Sequence, residues 1–291
     1  MRLILTTLIL VGLIWADESM GWKNTDVLEN SGKGVINWSQ GTIQATYQPS
    51  NNAGSNNHIR PFSGNQNTFK TELIDNIFST VQSLRIDDSI YVGDFIATTE
   101  AYISKIRDLV DDAQIVLRTD TKDHITRATA RIPIYGGFAQ LVLPQNIKQV
   151  QTIKLMMPVQ ERTKEQKKNS KTDDIGIARP YTGLIVDARN IDAIPALVPI
   201  IYDESGNEVY GPAFVSREFA VQYGLAGYTR SLKVAFDHIR VTDNPLMVKG
   251  LHLHPSGPCN IVISNADARR IRSTYDHLSF LRTCHVIIVI D

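Results

Sequence analysis

Between Pro158 and Pro180 the hydrophobic periodicity that runs through the rest of the chain stops. This stretch contains ERTKEQKKNSKTDD, with five basic residues and one acidic between Arg162 and Lys171. A segment of that composition buries too little apolar surface to offset the entropy of ordering it. The chain must therefore fold as two patterned halves joined by a connector, residues 144–179. A length of 291 residues suits two domains, and a hydrophobic fraction of 43% supplies apolar material for two cores.

The first half, residues 34–143, alternates between strand and helix signals. Gly34–Trp38 and Thr42–Tyr47 have strand alternation, and Ser39-Gln40-Gly41 between them is turn-forming, which predicts a β-hairpin. Residues 17–33 are polar and short of periodicity, and read as a lead-in. Pro49, Gly54 and Pro61 mark residues 48–61 as a loop. Phe69, Leu73, Ile77, Val81 and Leu84 then recur at helical spacing. Ile86–Phe95 reads as extended and Thr98–Val110 as a second helix. Gln114–Thr121 and His124–Tyr135 read as antiparallel strands, and Phe138–Leu143 as a short one. Helices on one face of a mostly antiparallel sheet make an α+β module.

The second half, residues 180–291, predicts another mixed module. Gly183–Ala188 is a strand, and Asp203–Asn207 has the turn residues of a hairpin between Ala196–Tyr202 and Glu208–Tyr210. Arg217–Tyr223 forms a short helix or a turn. Pro245–His254 and Asn260–Ile263 are extended, and Ser264 is placed to cap a helix from Ala268 to Asp276. Cys284–Ile290, CHVIIVI, is apolar on both faces and so belongs inside a sheet. The fold class expected is α+β, two mixed modules, each an antiparallel or mixed sheet with helices packed on it.

The opening residues read as an export signal. Arg2 precedes an apolar run from Leu3 to Ile14, and a cut after Ala16 would leave Asp17 as the new terminus. The run is shorter than the roughly 20 residues a membrane span needs. No cysteine lies at the cut, so no lipid anchor is expected there. The signal thus predicts a periplasmic or otherwise exported chain. In that compartment a bridge between Cys259 and Cys284 is one expectation, and two buried free thiols the other.

Few residues suggest chemistry. Lys plus Arg and Asp plus Glu are 30 each, which argues against a nucleic-acid partner, and the aromatic residues are not interleaved with basic ones. No phosphate loop, GxGxxG, HExxH or GxSxG pattern occurs, and Ser256-Gly257 in HPSGPC lacks the glycine before the serine that such an elbow needs. His252 and His254, with Cys259 and His285, are the strongest metal ligands by type, and define a metal-dependent hydrolase as the weakest reading. The acidic pairs Asp87-Asp88, Asp111-Asp112 and Asp173-Asp174 are neighbours in sequence, a poor arrangement for carboxylates facing each other across a cleft. No catalytic residue, cofactor or metal is expected. The strip of Arg162, Lys164, Lys167, Lys168 and Lys171 is a solvated linker or a contact for an anionic polymer such as peptidoglycan.

The stretches GVINWSQGTIQATYQPS, RIDDSIYVGDFI and DDAQIVLRTDTKDHITRATARIPIYGGFAQLVLP, in that order, resemble the bacterial envelope family of the small lipoprotein called Lpp-twenty and the flagellar-assembly proteins FlgP and FlgT. The shared features are the hairpin at Gly34–Ala45 and the turn Pro133-Ile134-Tyr135-Gly136. The second half looks like the region that follows this module in longer exported relatives. The resemblance implies a structural or assembly part in the cell envelope, with envelope or flagellar basal-body proteins, or further copies of the chain, as partners. It supplies no catalytic residue, and the protein is expected not to be an enzyme.

Overall fold

A computed structural model describes residues 22–47, 66–98, 100–119, 126–148, 180–273 and 275–291. The connector strip from Arg162 to Lys171, the cut at Ala16 and Asp17, and the pair Asp173-Asp174 lie outside the described residues.

The first half contains a five-stranded antiparallel sheet made of β1 (Leu28–Ser31), β2 (Gly34–Asn37), β3 (Thr42–Tyr47), β4 (Gln114–Thr119) and β5 (Thr126–Pro133), in the order β1-β2-β3-β5-β4. The predicted hairpin is β2–β3, and Gly41 at φ +62° supplies the left-handed residue its turn requires. β1 corrects the lead-in reading of residues 17–33. Its sequence LENS has no apolar alternation, and it is held as an edge by pairing with β2. The helices are α1 (Gln66–Gln82), α2 (Val92–Ala97), α3 (Glu100–Asp111) and α4 (Gly137–Val142). Leu73, Ile77 and Val81 are wholly buried where α1 crosses β2, β3 and β5, as is Leu84 just past its end. The side chains beneath include Ala45, Ala128 and Ala130, small enough to let the helix come close.

Two local expectations change. Ile86–Phe95 is not extended. Asp87 Oδ1 accepts the Ser89 and Ile90 N–H groups at 2.8 and 3.0 Å and folds the chain into a turn. Asp94 Oδ2 then accepts the Tyr91 N–H at 3.0 Å and starts α2. Phe138–Leu143 is the helix α4, not a strand. Its buried residues Phe138, Ala139 and Val142 have helical spacing.

The second half contains a seven-stranded mixed sheet: β6 (Gly183–Asp187), β7 (Ile201–Asp203), β8 (Glu208–Tyr210), β9 (Gly227–Thr229), β10 (Pro245–Leu253), β11 (Ile261–Ile263) and β12 (Val286–Val289), in the order β8-β7-β11-β10-β6-β12-β9. β12 is parallel to both β6 and β9, and its four residues are buried, as its apolar run requires. Four helices complete the half: α5 (Arg217–Tyr223), α6 (Leu232–Phe236), α7 (Asn265–Arg272) and α8 (Tyr275–Arg282). Ser264 caps α7, its hydroxyl accepting the Asp267 N–H at 3.0 Å. Ile185, Ile287 and Val289 on one sheet face pack with Ala235 of α6 and Val241. Leu184, Val186, Leu246, Val248, Val286 and Ile288 face the main core.

The architecture is α+β with two sheets and helices on each. The main core nevertheless runs without a break from one half into the other, so the two modules share it. Backbone hydrogen bonds stitch the join. Leu197 and Val198 N–H donate to the Arg85 and Ile86 carbonyls at 3.0 and 2.8 Å, and Gly136 N–H donates to the Val221 carbonyl at 2.8 Å.

Candidate functional site

The seam between the sheets brings Tyr135, Tyr228 and Arg217 against residues of the opposite half. Tyr135 sits between two glycines contributed by different halves. A β-carbon on Gly41 would come within 2.2 Å of one edge of its ring, and one on Gly224 within 2.4 Å of the other. Burial pushes the Tyr135 phenol above its ordinary value, opposed by the charge of Arg240. Beside it Trp38 meets Tyr228 edge to face at 5.8 Å. The Tyr228 hydroxyl donates to the Ala196 carbonyl at 2.8 Å and accepts from its N–H at 3.1 Å.

Arg217, on α5, is buried to 8% exposure and spends its guanidinium on backbone carbonyls of the other half. It donates to Pro144 at 2.8 Å and Gln140 at 3.0 Å, with longer contacts to Leu143 at 3.4 and 3.5 Å. The Gln140 carbonyl needs this donor because residue 144, its helical partner, is a proline without an N–H. Arg240 works similarly at the end of α5, donating to the carbonyls of Tyr223, Gly224 and Cys284.

A second corner of the seam joins the Asp87–Ser89 turn to the loop after β10. Asp88 Oδ1 accepts the Cys259 N–H at 2.7 Å, and a β-carbon on Gly257 would collide with the Asp88 carboxylate at 2.4 Å. The His254 ring stacks on Tyr202 at 4.0 Å. The Ser256 hydroxyl lies 2.8 Å from His254 Nδ1 and accepts from Asn260 Nδ2 at 2.8 Å. His254 Nδ1 also takes the Ser256 backbone N–H at 3.2 Å, so this serine–histidine contact is a brace within one exposed turn.

The candidate metal ligands do not converge. His252 Nδ1 contacts the Leu253 carbonyl at 2.9 Å, and His285 Nδ1 the Thr182 carbonyl at 3.2 Å. Among the described residues no three His, Cys, Asp or Glu side chains gather as a metal site. Cys259 and Cys284 are not bridged; both are buried free thiols. Each faces its own partner: Cys259 meets Asp88, and Cys284 meets Tyr210. Burial raises both thiols, Cys284 to about 11. Asp111 ends α3 and Asp112 follows it, both exposed.

A cleft of about 370 Å³ lies where the end of the first half meets β8, lined by Asn146, Lys148, Ile200, Glu208, Pro212 and Ala213. Glu208 is its distinctive group. Its Oε1 is buried against Gly211 with no hydrogen-bond donor, and burial raises its carboxyl above the ordinary value, opposed by the Ala213 N–H.

The five-stranded sheet ends on β4, where the surface is unusually apolar for an edge. Val116 is 43% and Leu117 55% exposed, on opposite faces of the strand. Sequence reading had no means of finding Arg217 or Asp88 as seam residues. Their partners lie 73–77 and 171 positions away. The proline four places after Gln140 was the one local clue that a carbonyl would need a donor from elsewhere.

Residues 183–291 match a family described as Treponema pallidum Tp0624, second domain. The match runs from β6 to the end of β12 and beyond, taking in the whole seven-stranded sheet. The second half is thus similar to a bacterial domain family. No curated protein matches the chain.

Proposed function

We propose that this is an exported structural or assembly protein of the cell envelope, associated with the flagellar basal body and acting through protein–protein contacts, and that it catalyses no reaction. In this reading residues 34–143 are the module that the Lpp-twenty and FlgP resemblance describes. One observation carries the proposal: a rigid two-sheet body presents the aliphatic edge of β4 at its surface. Its polar side chains at the seam are spent on backbone groups that lock the halves together, with Arg217 as the clearest case. That investment suits a part that must hold shape under load. The amino-terminal segment, with Arg2, its apolar run and Ala16, supports export.

The test is cross-linking in intact cells carrying a tagged chain, with the captured proteins identified, beside a deletion scored for motility and envelope integrity. Capture of envelope or basal-body proteins and a defect on deletion are expected. A chain that captures none of them, and whose loss leaves both properties intact, overturns the proposal. The basic strip Arg162–Lys171 motivates a second reading, binding of peptidoglycan or another anionic polymer. It predicts retention that falls steeply with added salt and disappears when the strip's basic residues are replaced.

A further inference from the structure

We infer that β4 is a self-docking edge, through which two copies of the chain pair antiparallel about Val116 and join their five-stranded sheets. The inference rests on the reading above, that the chain works through protein contacts, and names one of those contacts. Edge strands carry unpaired backbone N–H and C=O groups and invite strand addition. Among the described residues no strand pairs with the outer edge of β4. Its sequence QIVLRT has no proline or lysine to blunt that edge.

The two faces of the strand have different characters. Ile115 and Leu117 lie across from Ala130 and Ala128, on the face that carries the core. Ile115 packs on that core, whereas Leu117 is 55% exposed, so the aliphatic layer runs out to the rim of the sheet uncovered. Gln114, Val116 and Arg118 lie across from Arg131, Thr129 and Arg127, on the opposite face.

A two-fold axis perpendicular to the sheet pairs β4 antiparallel with its copy and keeps each face on its own side. Centred on Val116, it sets Val116 opposite Val116, Ile115 opposite Leu117, and Gln114 opposite Arg118. Every aliphatic residue then meets an aliphatic residue, and no like charges face each other. Centred on Leu117, it sets Val116 against Arg118. Centred on Ile115, it sets Gln114 against Val116. The strand's own sequence selects the first register.

The test uses the purified full chain. Sedimentation across a concentration range should show a dimer. Val116→Arg should weaken it at least tenfold, because four arginines then crowd the axis. At concentrations where both proteins are monomeric its thermal transition should match the wild type's, since the Val116 side chain is exposed. Val116→Cys should form a disulfide-linked dimer under mild oxidation, as two copies of residue 116 face each other. Leu117→Cys should not, because its copies would stand about 8 Å apart, beyond disulfide reach. The wild type is the control, since its own two thiols are buried. A wild type monomeric at every concentration, a dimer indifferent to Val116→Arg, or equal linking at 117 and 116 overturns the inference. A monomer that still captures envelope proteins in cells refutes the β4 contact and leaves the functional reading standing. A β4 dimer that captures none does the reverse.

Discussion

Arg217→Met tests whether the seam is held by that residue. Methionine keeps much of the aliphatic stem and removes the donors. Two of the four contacts are short, 2.8 Å to the Pro144 carbonyl and 3.0 Å to Gln140; the two to Leu143 are 3.4 and 3.5 Å and weak. A hydrogen bond involving a charged group contributes about 1.5–3 kcal/mol, and the Gln140 carbonyl would be left without a donor. The loss should therefore be about 3 kcal/mol. For a folded unit of this size that lowers Tm by roughly 6–12 °C. Urea unfolding followed by circular dichroism and tryptophan fluorescence supplies the measurement. Trp38 reports on the seam through its contact with Tyr228. We expect the wild type to unfold in one transition with both probes coincident, because the main core is continuous. Arg217→Lys should recover part of the loss, since an ammonium reaches fewer of these carbonyls at once. A shift below about 0.5 kcal/mol, the ordinary range for a surface change, would refute the account of Arg217 as the donor the helix end requires.

Glu208→Gln should raise Tm at neutral pH. Burial raises the folded pKa of Glu208, so its protonated form adds stability that is complete below the unfolded value of about 4.3 and lost as pH rises through the folded value. The gain from glutamine should accordingly shrink on acidification, as a Tm series against pH will show. Asp187 behaves oppositely, its carboxyl held low by the Arg189 guanidinium at 2.7 Å. At Asp203 burial pushes upward, but the hydrogen bonds from Asn207 and Arg272 outweigh it and hold the carboxyl low. Their stabilisation is present above about pH 4 and fades as pH falls through the folded values, so replacing either by asparagine should flatten the acid limb of an unfolding titration. Gly224→Ala should destabilise by about 1–3 kcal/mol, read from urea midpoints, because φ there is +75° and the new methyl would strike Tyr135. Cys259 and Cys284 should resist a thiol reagent in the native protein and both react in denaturant. With Cys284 near 11, about one molecule in a thousand is thiolate there at pH 8, and fast native reaction would contradict its placement.

How far the sequence announced this fold follows from how local each cause is. The β2–β3 hairpin was legible because alternation and Gly41 lie within one stretch, and β12 because CHVIIVI is apolar on both faces. The stripe of α1 was legible for the same reason. β1 was not, since LENS is a strand only because β2 offers it a ladder. The turn at Asp87 and the helix α4 look extended in sequence, because short apolar runs fit either period until side-chain hydrogen bonds or packing decide.

The site was less legible than the fold for a related reason. His252, His254 and Cys259 attracted notice by residue type, yet the structure spends them on backbone, a ring stack and a buried thiol contact. Tyr135 attracted notice as part of a turn, and its second role as the wedge between Gly41 and Gly224 appears only when the two halves meet. A motif that marks a turn in one module can therefore be retained by the demands of the other. By the same reasoning, isolating residues 34–143 would remove Gly224 and Arg217, strip the donor from the Gln140 carbonyl and expose the shared core. The halves that the polar connector separates in sequence are, in energetic terms, each other's support.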